Sequence, residues 1–313
     1  EPQSFVHESV LLERVLEVFA TVPAGTIVDA TLGGAGHAAA LLDARSDLTI
    51  LGIDQDPHAL AAAQARLVPF GGRASVVRAR FDQLAAVVAA SGTTDRPIVG
   101  VLMDLGVSSP QLDVAERGFS LHREGPLDMR MDPDGPRTAA HPVNELLEGE
   151  LAEVLAAGGE DRFQRRIARA IVAARPIATT TELAEVVRDA VPAAARRGPR
   201  HPAVRTFQAL RLWVNEELEV LADALDAAID ALAPGGRLAV ISFHSGEDGE
   251  VKRFLRGAIR DGRFVAVTKK PLEADEPECR ANPRARSAKL RVAERVRSGG
   301  SELVSSDDEE VIA

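Results

Sequence analysis

Short apolar runs alternate with amphipathic stretches over the first third of the chain, and the alternation lapses near residue 112. Residues 26–28, 49–53, 75–77 and 98–103 are apolar, largely β-branched runs of strand length. Between them, residues 38–42, 57–67 and 83–90 space their apolar positions as helices do, and Pro57 suits a first helical turn. Upstream, Val10, Leu11, Val15, Leu16 and Phe19 mark an amphipathic helix within residues 7–19. Strands and helices in this rhythm predict an α/β fold, a Rossmann-like doubly wound parallel sheet.

From 112 to 205 no strand pattern appears. Helices are predicted at 143–147, 151–157, 161–174 and 181–190, the last capped by Thr180 or Thr181, after loop-like stretches at 118–120 and 128–133. One long helix over 205–232 then returns to the sheet. Pro234-Gly235-Gly236 stops it, followed by a strand at 237–243, a helix at 250–259 and a closing antiparallel pair at 264–268 and 290–293. The expected organisation is a discontinuous domain, 1–111 and 206–298, with an all-helical insertion at 112–205 and an acidic disordered tail at 299–313.

Composition narrows this picture modestly. A chain of 313 residues can bury a real core, and its single cysteine, Cys279, rules out an internal disulfide framework. With no apolar run of membrane-spanning length and no signal-peptide pattern before His7, a cytoplasmic protein without a membrane partner is expected. The net charge of −10 argues against nucleic acid, yet basic residues gather at 162–175, 196–211 and 280–297. Each cluster reads equally well as a solvated face.

Candidate chemistry begins where the first strand ends. Gly33, Gly34 and Gly36 follow it and a helix starts at once, an arrangement that brings backbone N–H groups to a ligand. Asp54 closes the second strand about 20 residues on, where a carboxylate meets ribose hydroxyls. The stretch Gly34-Ala35-Gly36-His37-Ala38-Ala39 fits a loose dinucleotide pattern, but Asp29 would repel a pyrophosphate. A sulfonium cofactor, S-adenosyl-L-methionine, suits that charge better; a dehydrogenase and a ligand-free turn remain as alternatives. The fourth strand ends in Asp104, so Asp29, Asp54, Phe81 and Asp104 are expected along one rim, where ligands of open α/β sheets bind. No metal site is expected.

Were a pyrimidine the methyl acceptor, the target atom would be bounded by what is missing. Methylation at pyrimidine C5 needs a cysteine nucleophile, and Cys279 lies far from the rim in sequence. An exocyclic amine needs only hydrogen-bond acceptors and an aligned methyl group, roles open to Asp104, Ser108 and Ser109. The amino-methyltransferase tetrapeptide of Asp or Asn, two prolines and an aromatic is absent, and Ser108-Ser109-Pro110 is an imperfect substitute.

Several blocks resemble the bacterial small-subunit (16S) ribosomal RNA cytosine-N4 methyltransferases of MraW type. They are HESVLLERVLE at 7–17, DATLGGAGH at 29–37, GIDQDP at 52–57 and the long block at 102–133 containing DLGVSSPQLD and GPLDMRMDP. Further blocks at 201–219, 234–248 and 282–295 extend the resemblance nearly end to end. It implies a class I S-adenosyl-L-methionine-dependent methyltransferase whose helical insertion recognises RNA, with ribosomal RNA or the small ribosomal subunit as partner; a homodimer is left open. Cofactor contacts are implied at Ala35, Gly36, His37, Asp54, Phe81, Asp104 and Gln111, beside Gly34 of the same turn. Whether Asp104 is catalytic or only positions the cofactor is left open. Arg130, His201, Arg205, His244 and Arg284 are the expected substrate contacts, with Phe119 and Trp213 considered for base stacking. Ala35 stands where the family often has glycine, and Gly246 and Gly249 where larger residues are usual, which predicts a looser helix start there. A methyltransferase for small molecules or proteins, and a non-catalytic ribosome-binding relic, are the alternatives.

Overall fold

The computed structural model describes residues 9–92, 96–198 and 201–297, apart from the side chain of Ser109. His7 and the expected acidic tail lie outside the described residues. The chain divides into two compact units, Glu1–Gly106 with Glu219–Ala313, and Val107–Leu218.

The first unit opens with α1 (Leu12–Phe19), β1 (Gly25–Asp29), α2 (Gly36–Ala44), β2 (Leu48–Asp54), α3 (Pro57–Leu67), β3 (Ala74–Arg78), α4 (Leu84–Ala90) and β4 (Ile98–Asp104). The second holds α5 (Ser109–Asp113), α6 (Ala140–Asn144), α7 (Glu148–Ala157), α8 (Gln164–Ala174), α9 (Thr180–Ala190) and α10 (Val204–Asn215). The chain then continues through α11 (Glu217–Ala231), β5 (Leu232–Ser242), α12 (Ser245–Arg260), β6 (Phe264–Ala266), α13 (Glu276–Ala281) and β7 (Lys289–Arg295).

One seven-stranded sheet results, in the order β3-β2-β1-β4-β5-β7-β6. The first five strands run parallel, and β7 pairs antiparallel with both β5 and β6. Alternate residues of the strands feed two cores. Ile27, Ile50, Val99, Leu102, Ala239 and Ile241 pack with α1, α2 and α3. Val28, Leu51, Ile53, Val101, Met103, Leu238 and Val240 pack with α4, α11 and α12. All five residues of β1 are buried, as expected of a parallel strand covered on both faces.

The insert has its own core, in which Leu151, Leu155, Ile167, Ile171, Leu183, Val187, Phe207 and Leu210 meet. It begins at Val107 rather than 112 and ends at Leu218 rather than 205, because α10 supplies Phe207, Ala209, Leu210 and Val214 to that core. The single helix expected over 205–232 is two helices, α10 and α11, parted by Glu216 at φ 53°. Nothing in the local pattern announces that break. Tertiary bonds impose it, with Asn215 reaching back into a loop and Arg211 pairing with Glu217 at 2.8 Å.

Other boundaries shift for local reasons. Thr179, not Thr180 or Thr181, caps α9, accepting from the Glu182 N–H in a reciprocal capping box. Thr180 is buried instead, donating to the Arg123 carbonyl at 2.9 Å and accepting from Gly125 N–H at 3.1 Å. The helix expected at 143–147 is α6, at Ala140–Asn144, and Leu147 sits exposed at the start of α7. Strand β5 begins at Leu232, so Pro234-Gly235-Gly236 lies inside it, where its pairing with β4 shifts register. Helix α12 starts at Ser245, ahead of the expected 250, and Gly246 does not loosen it.

Candidate functional site

Asp29, Asp54 and Asp104 end three neighbouring parallel strands, β1, β2 and β4. The glycine turn is threaded between them. Leu32 N–H bonds to the Ile53 carbonyl at 2.9 Å, and Gly33 N–H donates to Asp54 Oδ2 at 2.7 Å. Asp54 Oδ1 accepts from Asp56 N–H at 2.8 Å and the carboxylate is also bonded by the Gln55 backbone, which leaves it capacity for a further donor. Gly33 and Ala35 both adopt left-handed backbone, at φ 51° and 58°. A glycine would hold position 35 without the steric penalty that alanine carries. At Gly34 a Cβ would meet nothing within 4 Å, so that stretch of backbone is open to a ligand.

The start of α2 is fixed from the opposite side. A Cβ at Gly36 would lie 2.0 Å from Ser9 Oγ, so a larger residue there would have to displace the Ser9 hydroxyl. His37, 6% exposed, holds its Nε2 at 2.9 Å from the Val10 carbonyl. A carbonyl can only accept, so Nε2 carries a proton. That Nδ1 lies 3.9 Å from Asp104 Oδ2.

Asp104 is the centre of the rim. Its backbone N–H donates to Thr31 Oγ1 at 2.6 Å, while its own Oδ1 is buried with no hydrogen-bond partner among the described residues. Burial pushes its carboxyl up to about 8, helped by the charges of Asp29 and Glu247 and opposed by Arg284. The side chain keeps 26% of its surface open, so solvent softens that push. Asp29 is 2% exposed, and burial lifts it to about 7 against the bond from Thr31 N–H. Burial also raises Asp54. Three carboxylates crowded into a poorly solvated rim favour a cationic ligand and disfavour a pyrophosphate. Phe81, half-buried in a single 3-10 turn after β3, packs against the core beneath α4.

Two of the expected substrate contacts fall in this unit. His244 caps α12, its Nδ1 accepting from Glu247 N–H at 3.4 Å and its Nε2 lying 2.8 Å from Glu247 Oε1. Gly246 leaves room for the ring, since a Cβ there would come within 3.2 Å of it. Arg284 follows Asn282 in a short 3-10 turn and contributes positive potential at Asp104. Glu247, 2% exposed and also bonded by Phe243 N–H, was not singled out from the sequence. Its signal was there, a histidine and a glutamate three apart where a helix starts.

The insert holds the remaining candidates. Ser108 and Gln111 cap α5 reciprocally, with Ser108 N–H donating to Gln111 Oε1 at 2.9 Å and Gln111 N–H to Ser108 Oγ at 3.4 Å. The side chain of Ser109 lies outside the described residues. Phe119 is a core residue, 6% exposed with the Arg117 guanidinium over its ring, rather than a surface platform. Trp213 stacks on His141 and has Arg137 over its ring, so those two side chains occupy it. Arg130 is gripped by Asp128 through two bonds of 2.9 and 2.7 Å and donates to the Gly135 carbonyl. His201 meets His122 edge to face at 5.9 Å, and burial, then His122 and Arg188, hold it below the ordinary histidine range. Arg205 is exposed on α10. The GPLDMRMDP segment is thus a clamped loop. Arg117 donates to the carbonyls of Arg130 and Met131, and Asn215 bonds Met131 N–H and the Met129 carbonyl.

A sheet in which the last strand slips antiparallel between its two predecessors, with a glycine turn after the first, is the architecture of class I methyltransferases, and this chain is one of them. Within that class the chain belongs to the MraW methylase family, whose defining pattern matches residues 4–296. It is 51% identical over 312 residues to the ribosomal RNA small subunit methyltransferase H of Heliobacterium modesticaldum, covering 94% of this chain and 99% of that one. The protein of the same name from Synechococcus elongatus is 49% identical over 296 residues, covering 95% and 97%. Among solved structures, an rRNA methylase from Streptococcus thermophilus aligns at 14% identity and a TM-score of 0.42, covering 91% and 94%.

Proposed function

We propose that the protein transfers a methyl group from S-adenosyl-L-methionine to the exocyclic N4 amine of a cytidine in small-subunit ribosomal RNA. Asp104 carries this reading, a carboxylate at the centre of an acidic rim with one buried oxygen awaiting a donor. Membership of the MraW methylase family, and relatives named for the small-subunit RNA, supply the substrate class.

The residues present fit the cofactor. Asp54 retains lone pairs for the ribose hydroxyls, the open backbone at Gly34 admits close approach, and Phe81 supplies an aromatic face for adenine. His37 and Ala35 frame the methionine end. When bound, S-adenosyl-L-methionine supplies an electrophilic methyl group on a sulfonium sulfur.

Every other task falls to the chain. The amine lone pair of cytosine is delocalised into the ring, so acceptors for its N–H bonds must draw the nitrogen towards tetrahedral geometry. Asp104 Oδ1 accepts one such bond, and the carboxylate takes the proton that the nitrogen sheds on becoming methylated. Ser108 Oγ accepts the Gln111 N–H yet keeps its hydroxyl proton to donate. In this reading Ser108 and Ser109 assist, and Arg130, His201, Arg205, His244 and Arg284 form the surroundings of the RNA. Cys279, in α13, has its Sγ 3.9 Å from the Ala274 carbonyl.

Two measurements test the proposal. Titration with S-adenosyl-L-methionine should show one binding event. Nucleoside mass spectrometry of ribosomal RNA from a strain lacking the gene should show the loss of one N4-methylated cytidine. An unchanged RNA profile would redirect the search to small-molecule or protein substrates.

A further inference from the structure

One peptide group joins the cofactor turn to a segment that no motif assigns. The carbonyl of Val10 accepts from His37 Nε2 at 2.9 Å. The N–H of the same peptide group, that of Leu11, donates to Glu278 Oε1 at 2.6 Å. Glu278 lies in α13, more than 260 residues downstream, with its own N–H held by Asp275 Oδ1 at 2.9 Å. The two hydrogen bonds therefore run in series, from the imidazole through the amide to the carboxylate.

The chain is bent to make this possible. Leu11 is fully buried and left-handed at φ 55°, one of four non-glycine residues with positive φ among those described. It ends the segment whose Ser9 fills the space beside Gly36. Helix α1 has no side-chain cap from its own first turn, so Glu278 occupies that role from across the unit. Backbone held in a sparsely populated region persists where surrounding contacts over-determine it.

We infer that Glu278 is a positioning residue of the cofactor site, acting through the Val10–Leu11 peptide to fix the tautomer and orientation of His37. A carboxylate accepting the amide N–H polarises the group and makes its carbonyl a stronger acceptor. His37 is thereby held with a proton on Nε2, and its Nδ1 stays on the Asp104 side, 3.9 Å from Oδ2. Without Glu278 the hook at residues 9–11 is free to turn, and the ring loses the partner that selects one tautomer. The inference rests on the cofactor reading above.

The test pairs affinity with spectroscopy. Glu278→Ala removes the acceptor, whereas Glu278→Gln keeps a carbonyl oxygen. Affinity for S-adenosyl-L-methionine should fall about tenfold in the alanine variant and less than about threefold in the glutamine variant. In the His37→Ala background, Glu278→Ala should add less than about threefold, because both act through one linkage. Nitrogen-15 spectra of histidine-labelled wild type should show His37 protonated at Nε2, and a tautomer mixture in Glu278→Ala. A wild-type His37 protonated at Nδ1 would overturn the inference whether or not any variant folds. So would full affinity in a folded Glu278→Ala protein, or losses that simply add. Wild-type protein that binds no S-adenosyl-L-methionine would instead sink the cofactor reading.

Discussion

At the scale of single residues, the rim trades stability for ligand binding. Asp104 and Asp29 are pushed up to about 8 and about 7, against 3.8 for an ordinary aspartate. The folded chain therefore binds more protons than the unfolded one across that interval, and stability is lost as pH rises through it. Thermal denaturation should show the melting temperature falling from about pH 5 to about pH 8.5, with a shallower fall in Asp104→Asn. Cofactor affinity should move the opposite way. A sulfonium ligand prefers ionised carboxylates, so calorimetry should show tighter binding from about pH 6 to about pH 8.5, with protons released on binding. Constant affinity over that range would mean that the rim charges do not sense the ligand. Asp104 has a further expected signature in catalysis. If it accepts the amine proton, Asp104→Asn should lower kcat on the order of a hundredfold with little change in KM for RNA. A loss confined to KM would reduce Asp104 to a positioning group.

At the scale of elements, the four non-glycine residues with positive φ among those described fall into two pairs. Leu11 and Ala35 flank the His37 contact, and Met129 and Glu216 flank Asn215. Asn215 binds main chain at Met129 and Met131, so Asn215→Ala leaves two partly buried backbone groups unpaired. Chemical denaturation should record a loss of about 2–3 kcal/mol. A loss below about 0.5 kcal/mol would mean that water replaces both bonds without cost. These pairs also mark where sequence reading fails. The strands, the glycine turn and the acidic strand ends were legible because short apolar β-branched runs and chain breakers are local signals. The break at Glu216 and the hook at Leu11 were not, because a leucine or glutamate in left-handed backbone is set by distant partners such as Glu278 and Arg137. The most specific motif, which holds Phe119 and Arg130, is fixed as a loop by Arg117, Asp128 and Asn215, a clamp that no local pattern announces.

At the scale of the whole molecule, a chain of net charge −10 has to hold a polyanion, so the placement of its arginines matters more than their number. Many surface arginines are already paired. Arg169 meets Glu148, while Arg188 and Arg196 share Asp189. Helix α8, which carries Arg169, also has two arginines in its first turn. Ile167, Ala168 and Ile171 bury one face, and Arg165 and Arg166 stand exposed on the other. If both contact RNA phosphates, binding should weaken steeply with salt, each contact contributing about 0.7 to the logarithmic slope on single-stranded RNA. Replacing both with glutamate should then flatten the slope by about 1.4 and lower affinity at low salt. Affinity for S-adenosyl-L-methionine should stay the same, since the carboxylates of the rim belong to the other unit. Filter binding across a salt series, with calorimetry on the same variant, separates the outcomes. An unchanged slope would make α8 a solvated face and move the phosphate track to the arginines at 196–211 or 280–297.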